Sequence, residues 1–313
     1  MGILRKPFGW AIMYSLVLVL FSTYVLLDTF VIPRALVSTA GNLYVSASAS
    51  AKADTGAVET DDTSEAGTAA NAFVTNISYE DENIRITLET VDISDTTAYI
   101  ADIQVSDASY LKTALANGAY GRNIKEATSA MAERNDAIFA INGDYYGFRN
   151  DGYVIRNGVL YRDTSGGNDD LVIDSDANFF IVNERDTTAQ SLLDAGAWQV
   201  LSFGPALINN GEIVVSRNSE VGKAKSSNPR TAIGQVSALH YIVIVSDGRT
   251  AQSAGLSLLE LAQLFAEHGC MVAYNLDGGG SSTMWFNGQV INNPTDGRSY
   301  GERSVSDIVY FGL

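Results

Sequence analysis

The segment Tyr274-Asn275-Leu276-Asp277-Gly278-Gly279-Gly280-Ser281-Ser282-Thr283 joins a hydrophobic strand directly to a carboxylate, three glycines and two hydroxyls. Glycines let the backbone approach a ligand closely, and a run of N–H groups beside hydroxyls can hold an anion. The plain alternative is a tight glycine turn between residues 271–276 and 283–286. No lysine follows the glycines at the spacing of a Walker-type phosphate loop, so nucleotide binding has little support.

The elements that must carry this loop are legible around it. Residues 257–268 have strong helix signals: Ser257 and Glu260 form a capping box, Leu258, Leu261, Ala262 and Phe265 supply one apolar face, and Gly269 stands at the left-handed cap. That helix links a buried-type strand over 240–246 to one over 271–276, a crossover of the kind that makes two strands parallel. Asp247-Gly248 and Asp277-Gly278 then emerge on one sheet edge, where open α/β sheets bind ligands. Upstream, residues 83–93 alternate as a half-buried strand beside 99–105, residues 125–134 read as a short helix, and 137–141 form a continuous apolar strand ending at Asn142-Gly143. Arg156-Asn157-Gly158 and Asn209-Asn210-Gly211 signal hairpins. The expected fold is mixed α/β: a twisted mixed β-sheet core with flanking helices and several hairpins.

Five segments stand in order along the chain: Ile141-Asn142-Gly143-Asp144-Tyr145-Tyr146-Gly147, Asn228-Pro229-Arg230-Thr231-Ala232-Ile233-Gly234, Ser246-Asp247-Gly248-Arg249, the Asp277 glycine motif, and Glu302-Arg303-Ser304-Val305-Ser306-Asp307. With the intervening helix they resemble the phosphodiester glycosidase family, over roughly residues 83–311. The resemblance implies hydrolysis of a sugar-1-phosphodiester at the anomeric carbon, in bacterial relatives often associated with exopolysaccharide. It also implies site roles. Asp277 is the first choice, and Asp247 the second, for the carboxylate that stabilises positive charge or activates water. Arg230 and Arg303 would clamp phosphate through bidentate hydrogen bonds. Gly278, Gly279, Gly280, Ser281 and Ser282 would bind phosphate or sugar oxygens, Asn142 a sugar hydroxyl, and Arg249 the substrate. Asp144 departs from the glycine many relatives carry there and receives no role.

Each assignment has a structural rival. Asp247 also suits an Asp-Gly turn, Arg249 a solvated ion pair, and Arg303 with Asp307 a pair beside a terminal strand. Asp169, Asp170, Asp174 and Asp176 suggest calcium, but Phe179 and Arg185 occupy the glycine and closing glutamate positions of an EF-hand loop. No cofactor is expected, and metal ligands are left unassigned. A serine hydrolase would need a base, and His240 lies within a strand while His268 ends a helix. The non-enzymatic alternative is a glycan-binding or exopolysaccharide-assembly module that uses the same cleft without turnover.

Residues 10–32 are apolar or weakly polar apart from Asp28, long enough to cross a hydrocarbon core of about 30 Å. Arg5 and Lys6 precede this stretch, which places residues 1–9 in the cytoplasm and the rest outside, a single-pass cell-membrane topology. The best cleavage sequence, Ser46-Ala47-Ser48-Ala49, lies well past the apolar run and favours an uncleaved anchor over a signal peptide. Residues 33–72, rich in Ser, Thr, Ala and Gly, read as a disordered tether that holds a 73–313 domain off the bilayer and lets it rotate. Removing the first 34 residues, with three basic and one acidic side chain, from totals of 20 and 36 leaves 17 against 35, net −18. Nucleic acid is therefore excluded as a partner, and phosphate recognition must come from locally placed cations. The single Cys270 reads as a buried small hydrophobe.

Overall fold

A computed structural model describes residues 9–36, 73–74, 77–219 and 227–313. The tail 1–8, most of the tether (37–72) and the expected cleavage sequence lie outside the described residues. The domain is mixed but mostly β, with three sheets around a shared core.

The largest sheet has nine strands, in the order Glu212–Ile213, Ala206–Asn209, Val272–Asn275, Arg230–Ser237, His240–Ser246, Thr96–Val105, Ile84–Ile93, Ser78–Glu80 and Phe73–Val74. A five-stranded sheet runs Gln289–Val290, Met284–Phe286, Ala137–Asn142, Asp307–Gly312 and Leu111–Leu115. A second five-stranded sheet is built from Val159–Arg162, Val154–Arg156, Ala197–Leu201, Asp169–Asp174 and Phe179–Asn183. Its last hairpin accounts for the aspartate cluster: Asp174 Oδ1 accepts the N–H groups of Asp176 and Asn178 and closes a turn. Among the described residues no group of three or more His, Cys, Asp or Glu is placed to hold a metal ion.

Period-two burial explains the continuous apolar runs. In His240–Ser246, Tyr241, Val243 and Val245 face the core shared by the sheets, while Ile242 and Ile244 face the helix Leu258–Glu267 packed behind. The terminal strand repeats the division, with Val309 and Phe311 inward and Ile308 and Tyr310 against the helix Thr128–Arg134. Burying both faces fixes register, since a one-residue slip would exchange the two environments. The Ser257–Glu260 capping box forms, and Gly269 takes the left-handed conformation at φ +75°.

The expected parallel crossover takes a modified form. Strands His240–Ser246 and Val272–Asn275 run in the same direction but are not neighbours. Arg230–Ser237 lies between them and is antiparallel to both, pairing Arg230 with Ser246 and Ala232 with Asn275. Asp247 and Asp277 still leave from one sheet edge, because two strands antiparallel to a common neighbour share a direction.

The helix Gly9–Phe30 is exposed, with an apolar stretch over Trp10–Asp28 long enough to cross a membrane. The chain does not swing free directly after it. Arg34–Ala35 forms a two-residue strand against Gly121–Arg122, and the Leu36 N–H donates to the Tyr120 carbonyl at 2.9 Å. Residues 34–36, the start of the expected tether, are thus hydrogen-bonded to the domain.

Candidate active site

Asp277 sits where the nine-stranded sheet hands the chain to the first five-stranded one, and it is 8% exposed. Two neighbours place its backbone. Its N–H donates to the Gly143 carbonyl at 3.2 Å, and its carbonyl accepts from Asn142 Nδ2 at 2.6 Å. The carboxylate Oδ1 accepts the Gly278 N–H at 2.9 Å, and Oδ2 accepts the Ser281 hydroxyl at 2.6 Å. Arg303 completes a relay, donating from Nε to Ser281 Oγ at 3.0 Å while Nη2 stands 3.7 Å from Asp277 Oδ2. Burial pushes the Asp277 carboxyl up to about 6, although the Ser281 hydroxyl, the Arg303 cation and the Gly278 N–H all favour the anion.

These groups open into a cleft of about 170 Å³, lined on one side by Asp277, Ser281 and Arg303 and elsewhere by Lys125, Asp144, Tyr145, Phe148 and Ser304–Ser306. Tyr145 and Phe148 stack at 4.9 Å between ring centroids and form an aromatic wall. Two cations, Lys125 and Arg303, therefore face a carboxylate and a hydroxyl beside an aromatic surface. That combination suits a sugar ring carrying an anionic substituent.

The structure distributes the other expected site residues differently. Asn142 is fully buried. Its amide nitrogen goes to Asp277, and its oxygen accepts from Thr231 Oγ1 at 2.8 Å and the Thr283 N–H at 3.1 Å, so it holds the loop from within. Arg230 is 4% exposed, does not line the cleft, and donates from Nε to the Leu256 carbonyl at 2.9 Å. Desolvation, then the nearby Arg249 cation, pushes its guanidinium down to about 10. Arg249 lies on the glycine loop, its guanidinium against Gly279, and Nε reaches Asn228 Oδ1 at 3.2 Å. Gly279 has φ +63°, a left-handed conformation that favours glycine, and the Arg249 guanidinium lies over the space a Cβ would take.

Asp247 is a brace. Its Oδ1 accepts the Asn293 N–H at 2.8 Å, and its Oδ2 accepts from Asn293 Nδ2 at 2.9 Å and the Tyr99 hydroxyl at 3.1 Å. The adjacent Asn292 ties Ser282 and Met284 together. The glycine N–H groups are also turned inward, Gly278 to Asp277 and Gly279 to the Pro229 carbonyl at 2.9 Å. Gly280 packs beside Asp296 and Arg303, and Ser282 is fully buried behind the loop. The expected Arg303–Asp307 pair is absent from the described ion pairs: Arg303 reaches Asp277, and Asp307 pairs with Arg156 at 2.8 Å. Neither histidine reaches the cleft, since His240 contacts Asp102 and His268 contacts Glu89.

Sequence reasoning missed Lys125, Tyr145, Phe148 and Asp144 as cleft residues. Tyr145 and Asp144 both stand inside the segment 141–147, where Asp144 received no role. It is buried, accepts the Ser202 N–H at 2.8 Å and the Tyr145 N–H at 2.6 Å, and lies 3.5 Å from Arg156. Arg156 read as part of a hairpin turn. It is instead fully buried, donating to Asp307 at 2.8 Å and joining two sheets beneath the cleft. No local pattern marks such a residue.

The fold is thus a three-sheet β-rich domain whose polar cleft opens where two sheets meet. The chain belongs to the phosphodiester glycosidase family, whose model matches residues 135–312. The SPbeta prophage-derived uncharacterized protein YomE of Bacillus subtilis is 33% identical over 196 residues, covering 60% of this chain and 30% of that protein. The N-acetylglucosamine-1-phosphodiester alpha-N-acetylglucosaminidase of Mus musculus is 32% identical over 110 residues, 31% of this chain and 21% of that one. The chain therefore spans less than a third of either relative's length. Among solved structures, the zebrafish N-acetylglucosamine-1-phosphodiester alpha-N-acetylglucosaminidase catalytic domain, auto-inhibited by its pro-peptide, superposes with a TM-score of 0.60 at 20% identity, covering 74% of this chain and 83% of that one. A hypothetical protein from Synechocystis has a TM-score of 0.56 at 14% identity, covering 73% and 62%.

Proposed function

We propose that this chain is a membrane-anchored hydrolase that cleaves a sugar-1-phosphodiester at the anomeric carbon, with its domain outside the cell and its role in cell-surface polysaccharide metabolism. The single observation that carries the reading is the buried Asp277 carboxylate facing Lys125 and Arg303 across one cleft in a member of this family. The phosphate sits against Lys125 and Arg303, and the sugar against the Tyr145–Phe148 wall. Asp277 is the catalytic carboxylate. Water forms the new C1–O bond, the C1–O bond to phosphate breaks with its electron pair, and the water proton passes toward Asp277. A phosphomonoester is a good leaving group, so the reaction demands little of a general acid.

Ser281 is a positioning residue, holding Asp277 and Arg303 at fixed separation. Arg230, Asp247 and Asn142 act through the loop they brace, and Arg249 through Gly279. The helix 9–30 is the anchor that retains the domain at the membrane. The test is turnover of a panel of sugar-1-phosphodiesters by the soluble domain, with binding measured in parallel. Release of free sugar that Asp277→Asn abolishes supports the reading. Tight binding without turnover by the unaltered chain would replace it with a glycan-binding or assembly module.

A further inference from the structure

The end of the anchor is joined to a short strand, Gly121–Arg122, that precedes a residue lining the cleft. Arg34 and Ala35 pair with Arg122 and Gly121, the Asn123 side chain donates to the Ile32 carbonyl at 3.4 Å, and Arg34 forms an ion pair with Asp28 at the helix end. Two residues past Asn123 stands Lys125, in the cleft lining. The Asn123 N–H donates to the Gly147 carbonyl at 3.3 Å, inside the loop whose Tyr145 and Phe148 form the aromatic wall. Tyr120 stacks on Tyr146 at 5.2 Å from the same strand. Gly121 is required by this contact, because any Cβ there would collide with the Arg34 carbonyl.

Arg34 is four residues on from Phe30, a reach of about 14 Å at most. The anchor therefore ends within one short segment of the cleft, and its strand pairing opposes free rotation of the domain. Beside the Arg34–Asp28 ion pair, Arg122 and Lys125 place positive charge at this end of a chain with net charge −16, the arrangement expected where phosphates are met at a bilayer surface.

We propose that the substrate is a glycosyl-1-phosphate diester of a bilayer-embedded lipid alcohol, taken directly from the membrane into the cleft that the anchor holds beside it. This deepens the glycosidase and anchor readings and rests on both. Hydrolysis would break the C1–O bond to phosphate, releasing the free sugar to solvent and leaving the lipid monophosphate in the bilayer.

The experiment uses the full chain in phosphatidylcholine nanodiscs, with matched glycosyl-1-phosphodiesters of methanol and of a twenty-carbon lipid alcohol. A ten-residue Gly-Ser insertion between Pro33 and Arg34 adds up to about 35 Å of slack. Leu36→Pro removes the N–H that bonds Tyr120 from a position exposed outside the domain core. Both changes should cut lipid-diester turnover tenfold or more while methyl-diester turnover stays within twofold. Placement is read without activity by a fluorophore on Asn150→Cys, beside the aromatic wall, or on Ala238→Cys, at the opposite sheet edge. Buried Cys270 leaves the labelling selective. Headgroup-quencher lipids should quench position 150 several-fold more than 238, and equal quenching overturns the placement. Turnover of the methyl diester alone overturns the lipid substrate and leaves the glycosidase reading standing. Correct placement with neither diester cleaved overturns the glycosidase reading and the substrate assignment together.

Discussion

Asp277 and Arg303 set the pH response of the site. A carboxyl raised to about 6 is protonated below that pH and unable to accept a proton from water, so kcat/KM should rise through an acid limb near 6 and level above it. Replacing Arg303 by Gln removes a cation that favours the anion, and the limb should move to higher pH in a pH–rate profile. A limb that stays in place would separate Arg303 from Asp277. Asp277→Asn should retain substrate affinity and lose about 10²-fold or more in turnover, as loss of an acid–base group typically does. Equilibrium binding beside single-turnover kinetics measures both. Arg230→Ala, by contrast, should act chiefly on stability: it removes a buried charge-assisted hydrogen bond to the Leu256 carbonyl, worth about 1.5–3 kcal/mol, although that carbonyl keeps the Asn228 N–H at 3.3 Å.

Among elements, the Arg156–Asp307 contact joins the strand Val154–Arg156 to the terminal strand Asp307–Gly312 and also receives the Asp144 N–H. Arg156→Leu leaves Asp307 and Asp144 buried near one another without their cation and should cost about 3–5 kcal/mol by urea denaturation. Arg156→Leu combined with Asp307→Leu should recover part of that loss, because the uncompensated charge goes with its partner. A double variant as unstable as the sum of the singles would show the two act separately. Asp170, fully buried two strands away in the sheet that holds Arg156, is pushed up to about 10 first by burial and then by Glu184. Its folded carboxyl is raised above the unfolded 3.8, so the stability it contributes is present below that pH and is lost as pH rises toward 10. Asp170→Asn should flatten the fall in melting temperature between pH 7 and 10, and an unchanged slope would assign that fall elsewhere.

At the scale of the whole molecule, the three sheets enclose their core without the anchor, whose described contacts with the domain are confined to one short strand and its flanks. A 73–313 fragment should be soluble and melt cooperatively, within a few degrees of the full domain, by calorimetry. It should also retain turnover of soluble diesters while losing membrane placement. A large fall in melting temperature would show that residues 34–36 stabilise the core as well as orient it.

Local chemistry was readable from the chain. The capped helix Leu258–Glu267, the Asn-Gly hairpins, the apolar helix at residues 10–28 and the Asp277 loop rest on signals that span a few residues, and each needs only its own neighbours to form. The sequence also determined that Asp247 and Asp277 leave one sheet edge, because strand directions follow from the connecting helix. Which of the two faces a cleft was decided by tertiary packing. Asp247 is taken up by Asn293 and Tyr99, nearly 50 and nearly 150 residues away, whereas Asp277 opens beside Lys125 and Arg303. Arg230 and Arg303 carry the same charge in equally plausible motifs, yet one lies inside the sheet edge and the other lines the cleft. Burial and long-range pairing separate such residues, and these are properties of the assembled core that no local spacing encodes.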